Sequence, residues 1–226
     1  MTVDTSEYGL GRIPSTPDPR IARFTAQPAE DARNRPRKYW FMDQVFHQHR
    51  TPYCVSYTGV ATLVAAPIRN FPAISFEELY RMAQENDQWA GNAYEGSSIL
   101  GLCKSLKKLG FIDEYRWATS VEQVADYVLT KAPMAVGTTF YDDMFDPDEY
   151  GFMHPGGVVA GGHAYTLIGC DREKKCPDGS IGAFRILNSW GRTWSQNGRA
   201  WISMKDFAFL LADQGEAATF IEKKLN

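Results

Sequence analysis

A chain of 226 residues, 44% hydrophobic and 23% charged, has enough apolar surface for a sizeable core, in one large domain or two small lobes, and lacks the composition of a disordered protein. Its formal net charge of −3 excludes a global basic field that would draw it to nucleic acid or to an acidic membrane surface. No window approaches the roughly 18 uninterrupted apolar residues of a membrane span, and the opening "MTVDTSEYGLGRIPSTPDPR" lacks the charged-then-apolar order of a secretory signal.

Residues 1–35 carry Pro14, Pro17, Pro19 and Pro28 among Thr, Ser, Asp and Arg, which blocks both helical and strand periodicity. They predict an extended arm, read as a surface strap in preference to a propeptide or docking segment. From Cys54 to Ala66 the sequence suits a helix, with Pro52 before its first turn and Pro67 as its stop. A second helix is predicted from Ser75, where Ser75 and Glu78 have capping-box spacing and Phe76, Leu79, Tyr80 and Ala83 form an apolar face.

After "YEGSS", the residues Ile99, Leu102, Cys103, Leu106 and Leu109 recur at helical steps, and Gly110 stands where a left-handed cap belongs. Ser120 and Gln123 open a fourth helix that points Val121, Val124, Ala125 and Val128 inward and ends before Pro133. Beyond it, "MAVGTTF", "HAYTLIGCD", "GAFRILNSW", "RAWISM" and "AATFIEK" read as strands divided by Gly, Pro and Asn turns. Helices first and strands afterwards predict an α+β fold of two layers or lobes, not a doubly wound parallel sheet.

Four cysteines, at positions 54, 103, 170 and 176, form no Cys-x-x-Cys pair. Reduced thiols are expected, although Cys170 and Cys176 flank "DREKK" and could bridge across it. Cys54 differs from the others in opening a helix, where the macrodipole favours thiolate over thiol. Full activation needs a histidine, and a third group to orient its ring. His163 follows Gly161 and Gly162 at the start of a predicted strand, and Asn188 ends another beside Trp190. The metal reading of His47, His49 and His154 with Asp43 lacks a histidine–glutamate helix motif or a cysteine pair, so no metal and no cofactor are expected.

"HQHRTPYC", "GGHAYTLIGCD" and "NSWGRTW" together resemble the motifs of the papain-like cysteine peptidases (C1 family), in particular short bacterial and phage-associated members without extracellular disulfides. The resemblance implies a two-lobe fold, with a helical lobe over about 44–118, a β-rich lobe over about 119–226 and the active site in the cleft of a catalytic domain spanning 36–226. It also implies a peptidase with Cys54 as nucleophile, His163 as base and acid, Asn188 holding the imidazole and Trp190 shielding that bond.

Gln48, six residues before Cys54, is the preferred oxyanion donor, with Gln44 in "MDQVF" as the alternative. Such a contact is worth roughly 3 to 4 kcal/mol. Gly96 is the candidate for pairing with substrate backbone, and Gly137 and Gly162 for bordering a specificity pocket. The resemblance further implies a nucleophile pKa well below its ordinary value.

Departures from the family pattern are "TPYCVSY" in place of Cys-Gly-Ser-Cys-Trp, Ser195 in place of a glycine, and a gap of 25 residues from His163 to Asn188 that implies a long hairpin. Only 53 residues precede Cys54, so control by a long helical prodomain is not expected, and "YGLGRIPSTPDPR" resembles the entry segment of bacterial relatives, which leaves the cleft and the second lobe as alternative places for it. Peptide or protein substrates are the expected partners, with no nucleic acid or membrane. Synthesis is expected in the cytoplasm, with a phage or secreted particle as a further destination. The rival readings are a specialised isopeptidase or leader peptidase, and a silent papain-fold component that binds an assembly partner.

Overall fold

The computed structural model describes residues 7–16, 35–88 and 94–222. Helix α1 (Cys54–Val64) is buried at every position except Tyr57. A helix apolar on all sides belongs inside the molecule, and α1 packs there against the long central strand β4 (Val159–Lys175).

Helices α2 (Phe76–Asn86), α3 (Ile99–Lys108) and α4 (Val121–Thr130) each begin at a serine whose hydroxyl accepts a first-turn N–H. Ser75 accepts from Glu78 at 3.1 Å, Ser98 from Gly101 at 2.9 Å and Ser120 from Gln123 at 3.3 Å. Each cap contributes about 1 kcal/mol. The predicted apolar faces point inward, with Leu79, Tyr80 and Ala83 of α2 and Ile99, Leu102, Cys103 and Leu106 of α3 all buried. Gly110 follows α3 at φ 75°, the left-handed conformation that ends the helix.

Seven strands form one antiparallel sheet among the described residues: β1 (Arg37–Tyr39), β2 (Ile112–Trp117), β3 (Met134–Tyr141), β4, β5 (Ile181–Leu187), β6 (Arg199–Ser203) and β7 (Glu216–Glu222). The order is β2-β7-β3-β4-β5-β6, and β1 pairs with β4 at Gly169 to Asp171. The long hairpin implied by the His163–Asn188 gap is β4–β5, which extends to Lys175 and Ile181. A two-layer α+β architecture results, with α1, α2 and α3 packed together beside the sheet.

The expected strand and helix limits change in several places. α1 stops at Val64, two residues before the expected end. "HAYTLIGCD" is the middle of a longer strand, so Gly161, Gly162 and His163 lie within β4. β1 and β2 did not stand out in the sequence, because β1 is three residues long and β2 ("IDEYRW") carries only a weak alternation of polar and apolar side chains. β2 precedes α4 in the chain and pairs with the final strand β7, so helices and strands are less segregated than the sequence suggests. Helix α5 (Met204–Ala212) was also missed, although Ser203 caps it through Asp206 N–H at 2.9 Å, a Ser-x-x-Asp signal.

Candidate active site

Cys54 is the first residue of α1, so its sulfur lies at the helix's positive end. The backbone of Ala164, Val55 and Gly11 acts on that sulfur in favour of its thiolate, against the larger effect of burial. Ala164 follows His163 on β4, which brings the thiol beside the imidazole strand.

His163 is fully buried, with Nε2 2.8 Å from Asn188 Oδ1. The same oxygen accepts the N–H of Ser189 at 2.8 Å, which fixes it as the amide oxygen. An acceptor at that position requires the proton on Nε2 and leaves Nδ1 as a lone pair, and Nδ1 has no hydrogen-bond partner. Trp190, fully buried, stacks on the imidazole at 4.5 Å and 22°, and Phe140 meets it edge-on at 5.1 Å. Because β5 ends at Leu187, Asn188 is free of the strand ladder and can aim its side chain at the ring.

Gln48 is buried, whereas Gln44 is exposed, so the structure brings only the former to this place. Gln48 Oε1 accepts from the Ser189 hydroxyl, and Nε2 donates to Thr51 O at 2.8 Å and Gly9 O at 3.0 Å. Ser189 thus ties the turn carrying Asn188 to the loop before Cys54. It stands inside the "NSWGRTW" motif, which is where its role was legible.

Residues 7–16 run through the cleft itself instead of forming a strap elsewhere on the surface. Tyr8 stacks on Trp190 at 4.7 Å, and Gly9 N–H donates to His49 O at 2.9 Å. Gly9 O accepts from Gln48 and, at 3.3 Å, from Trp190 Nε1. Gly11 and Arg12 N–H both reach Gly162 O, at 3.1 and 2.9 Å. On the opposite wall Ser97 donates to Gly11 O at 2.8 Å and accepts from Ile13 N–H at 2.9 Å.

The backbone that pairs with the arm is that of Ser97, the neighbour of Gly96. The N–H of Gly96 goes to Tyr80 Oη and its carbonyl to Gln84. Gly96 still permits the close approach: at φ 115°, a Cβ there would stand 2.6 Å from Gly11 O. Likewise a Cβ on Gly162 would meet Arg12 O at 2.1 Å.

Arg12 enters a pocket bordered by Gly137, where a side chain would collide with Ile99 and Arg12. Its guanidinium meets Glu216 Oε2 through Nη2 at 2.7 Å and Nε at 3.2 Å, and also reaches Gln214 O. The two side chains are 1% and 8% exposed. Glu216 Oε1 has no partner. Neither Arg12 nor Glu216 carries a local sequence signal for this meeting, since 204 positions separate them.

Burial under this segment opposes the expected drop in nucleophile pKa. Desolvation pushes the Cys54 thiol up to about 12, against the pull of its backbone hydrogen bonds. Desolvation also pulls His163 down to about 4, against the Asn188 hydrogen bond. Burial thus disfavours both the thiolate and the imidazolium while the segment covers them. Cys103, Cys170 and Cys176 are free and buried, so the alternative Cys170–Cys176 bridge does not form.

No family model matches the chain. Cathepsin B-like cysteine proteinases 6 and 5 of Caenorhabditis elegans are 31% and 29% identical over 78 and 84 residues, covering 34% and 37% of this chain. The matches span only 19% and 23% of those two proteins. Among solved structures, xylellain, a cysteine protease from Xylella fastidiosa, superposes with a TM-score of 0.76 at 18% identity over 97% of both chains. ProCathepsin B S9 from Trypanosoma congolense gives 0.71 at 10% identity, over 96% of this chain and 87% of that one. The chain therefore has the papain-like fold, the fold of the solved cysteine proteases on which it superposes.

Proposed function

We propose that the chain is a cysteine peptidase that hydrolyses peptide bonds through Cys54, His163 and Asn188, and that residues 8–15 hold it inactive. The observation that carries this reading is the 2.8 Å contact from His163 Nε2 to Asn188 Oδ1, which leaves the Nδ1 lone pair free to accept a proton. Once the arm leaves, Cys54 Sγ gives its proton to His163 Nδ1 and the thiolate attacks the substrate carbonyl carbon. Gln48 Nε2, released from Gly9 O, donates to the oxyanion together with the Cys54 N–H. His163 then passes its proton to the leaving amine, and water hydrolyses the thioester.

In this reading the pocket that holds Arg12 receives a basic substrate side chain, with Glu216 as its counter-charge. The test is intact-mass detection of a papain-type epoxide adduct, with peptide mapping, on the full chain and on Arg12→Ala. The expected result is slow labelling of the full chain, fast labelling of the variant, and a single adduct on Cys54 that His163→Ala abolishes. A panel of unmodified peptides then separates a general endopeptidase, which cuts several, from an isopeptidase or leader peptidase. Folded protein that takes no adduct in either form would overturn the peptidase reading in favour of a silent binding component.

A further inference from the structure

Away from the cleft, the outer face of the β5–β6 hairpin concentrates positive charge for which the described residues supply no ion pair. β5 buries Phe184 and Ile186 and turns Arg185 outward, and β6 buries Ala200 and Ile202 and turns Arg199 and Trp201 outward. Register places Arg185 opposite Trp201 and Arg199 opposite Leu187. With Tyr39, Phe41 and Gln196, these residues line a groove of about 650 Å³. Tyr39 and Phe41 are 46% and 65% exposed there.

Among the described residues, the two guanidiniums have only neutral hydrogen-bond partners. Arg185 donates to Gln196 Oε1 at 2.7 Å and lies 4.8 Å over the Trp201 ring. Arg199 donates to the backbone carbonyls of Asn197 and Met42. Arg192, next to this pair, likewise binds only Asp43 O and Asn197 Oδ1, and Lys174 stands 4.5 Å over Trp201. Asp171 is engaged by the Tyr39 hydroxyl at 2.9 Å.

The contrast with other buried arginines is informative. Arg12 pairs with Glu216, and Arg172 pairs with Glu122 and Asp126. A half-buried cation without a counter-charge is costly, and two side by side repel. Burial lowers the pKa of Arg185 to about 10, and the neighbouring Arg199 adds to the effect.

We propose that this groove is a binding site for an aromatic anion, a planar ring bearing a phosphate or carboxylate, with the ring against Trp201 and Tyr39 and the anion between Arg185 and Arg199. Two guanidinium forks suit a planar or tetrahedral oxyanion, and exposed aromatic rings suit a flat apolar body. The site does not depend on the peptidase reading, since among the described residues none of its side chains hydrogen-bonds to Cys54, His163 or residues 7–16.

Isothermal titration calorimetry of the full chain with phenyl phosphate, phenol and inorganic phosphate tests it. The expected result is one saturable site for phenyl phosphate that is tighter than either fragment. Arg185→Gln and Arg199→Gln should each weaken it at least about tenfold. Arg185→Lys, which keeps the charge and loses the fork, should fall between, and Arg116→Gln, on a strand across the sheet, should change nothing. N-acetyl-phosphotyrosine amide identifies the source: tighter binding than phenyl phosphate means a peptide side chain, and weaker binding means a free small molecule. Absence of saturable heat, equal affinity for phenyl phosphate and inorganic phosphate, or unchanged affinity in both Gln variants with wild-type melting curves would overturn the proposal.

Discussion

Arg12 of the arm and Glu216 at the start of β7 form a buried ion pair with two nitrogens on one carboxylate oxygen, at 2.7 and 3.2 Å. Removing either partner leaves the other charge buried and uncompensated, at a cost of about 3 to 5 kcal/mol. Arg12→Ala should therefore loosen the arm and raise the rate of Cys54 alkylation in the full chain by roughly two orders of magnitude. Iodoacetamide labelling followed by mass spectrometry measures this, and an unchanged rate would show that the arm is held by its backbone contacts alone.

The same pair predicts substrate preference. A charged hydrogen bond contributes about 1.5 to 3 kcal/mol, so in the Arg12→Ala background Glu216→Gln should lower kcat/KM for peptides with arginine in this pocket by about tenfold to a hundredfold. Peptides with leucine there should gain or stay equal. Paired kinetics on two peptides that differ at that one residue decide the matter.

Gln48→Ala should reduce kcat by roughly a hundredfold to a thousandfold if its amide supports the oxyanion, whereas Gln44→Ala, at an exposed position, should leave kcat unchanged. A loss confined to KM would mean that Gln48 merely shapes the loop. Asn188→Ala should cost about a hundredfold and shift the acid limb of the pH–rate profile, because the imidazole then loses the acceptor that fixes its tautomer.

Stability should peak at neutral to mildly alkaline pH. Between 6.5 and about 4, the unfolded chain binds a proton on His163 that the covered fold refuses, so stability falls as pH falls through that window. Between 9.0 and about 12, the unfolded chain loses a Cys54 proton that the covered fold retains, so stability falls again as pH rises. Melting temperatures of the full chain across pH should show both limbs. Cys54→Ser should shrink the alkaline limb without removing it, because burial also raises Cys103 and Cys170, and His163→Gln should shrink the acid one, to which His47 also contributes.

What could be read from the sequence was what is local. Ser75 with Glu78, and Ser120 with Gln123, announced helix starts because capping is settled within one turn. "NSWGRTW" announced Asn188 and Trp190 because the turn that positions them is encoded by neighbours. β1 gave no signal because three residues cannot establish a period. The arm pairs with Ser97, next to Gly96, since whether a backbone group is free depends on Tyr80 and Gln84, which lie outside the local pattern. The arm's course stayed open between the cleft and the second lobe for a similar reason: "GLGR" fits the cleft only because Gly162, Ser97 and Glu216 converge there from three distant segments.

The arm also has a standing in mass action that a separate inhibitor lacks. Residues 17–34 connect its end to the segment that begins β1, so its effective concentration at the cleft is set by the chain and does not fall when the protein is diluted. On the proposed peptidase reading, a substrate would have to outcompete this internal ligand at every protein concentration, which would filter out weak binders. One cut between residues 17 and 34 would convert the intramolecular equilibrium into a bimolecular one, and dilution alone would then make the opening irreversible.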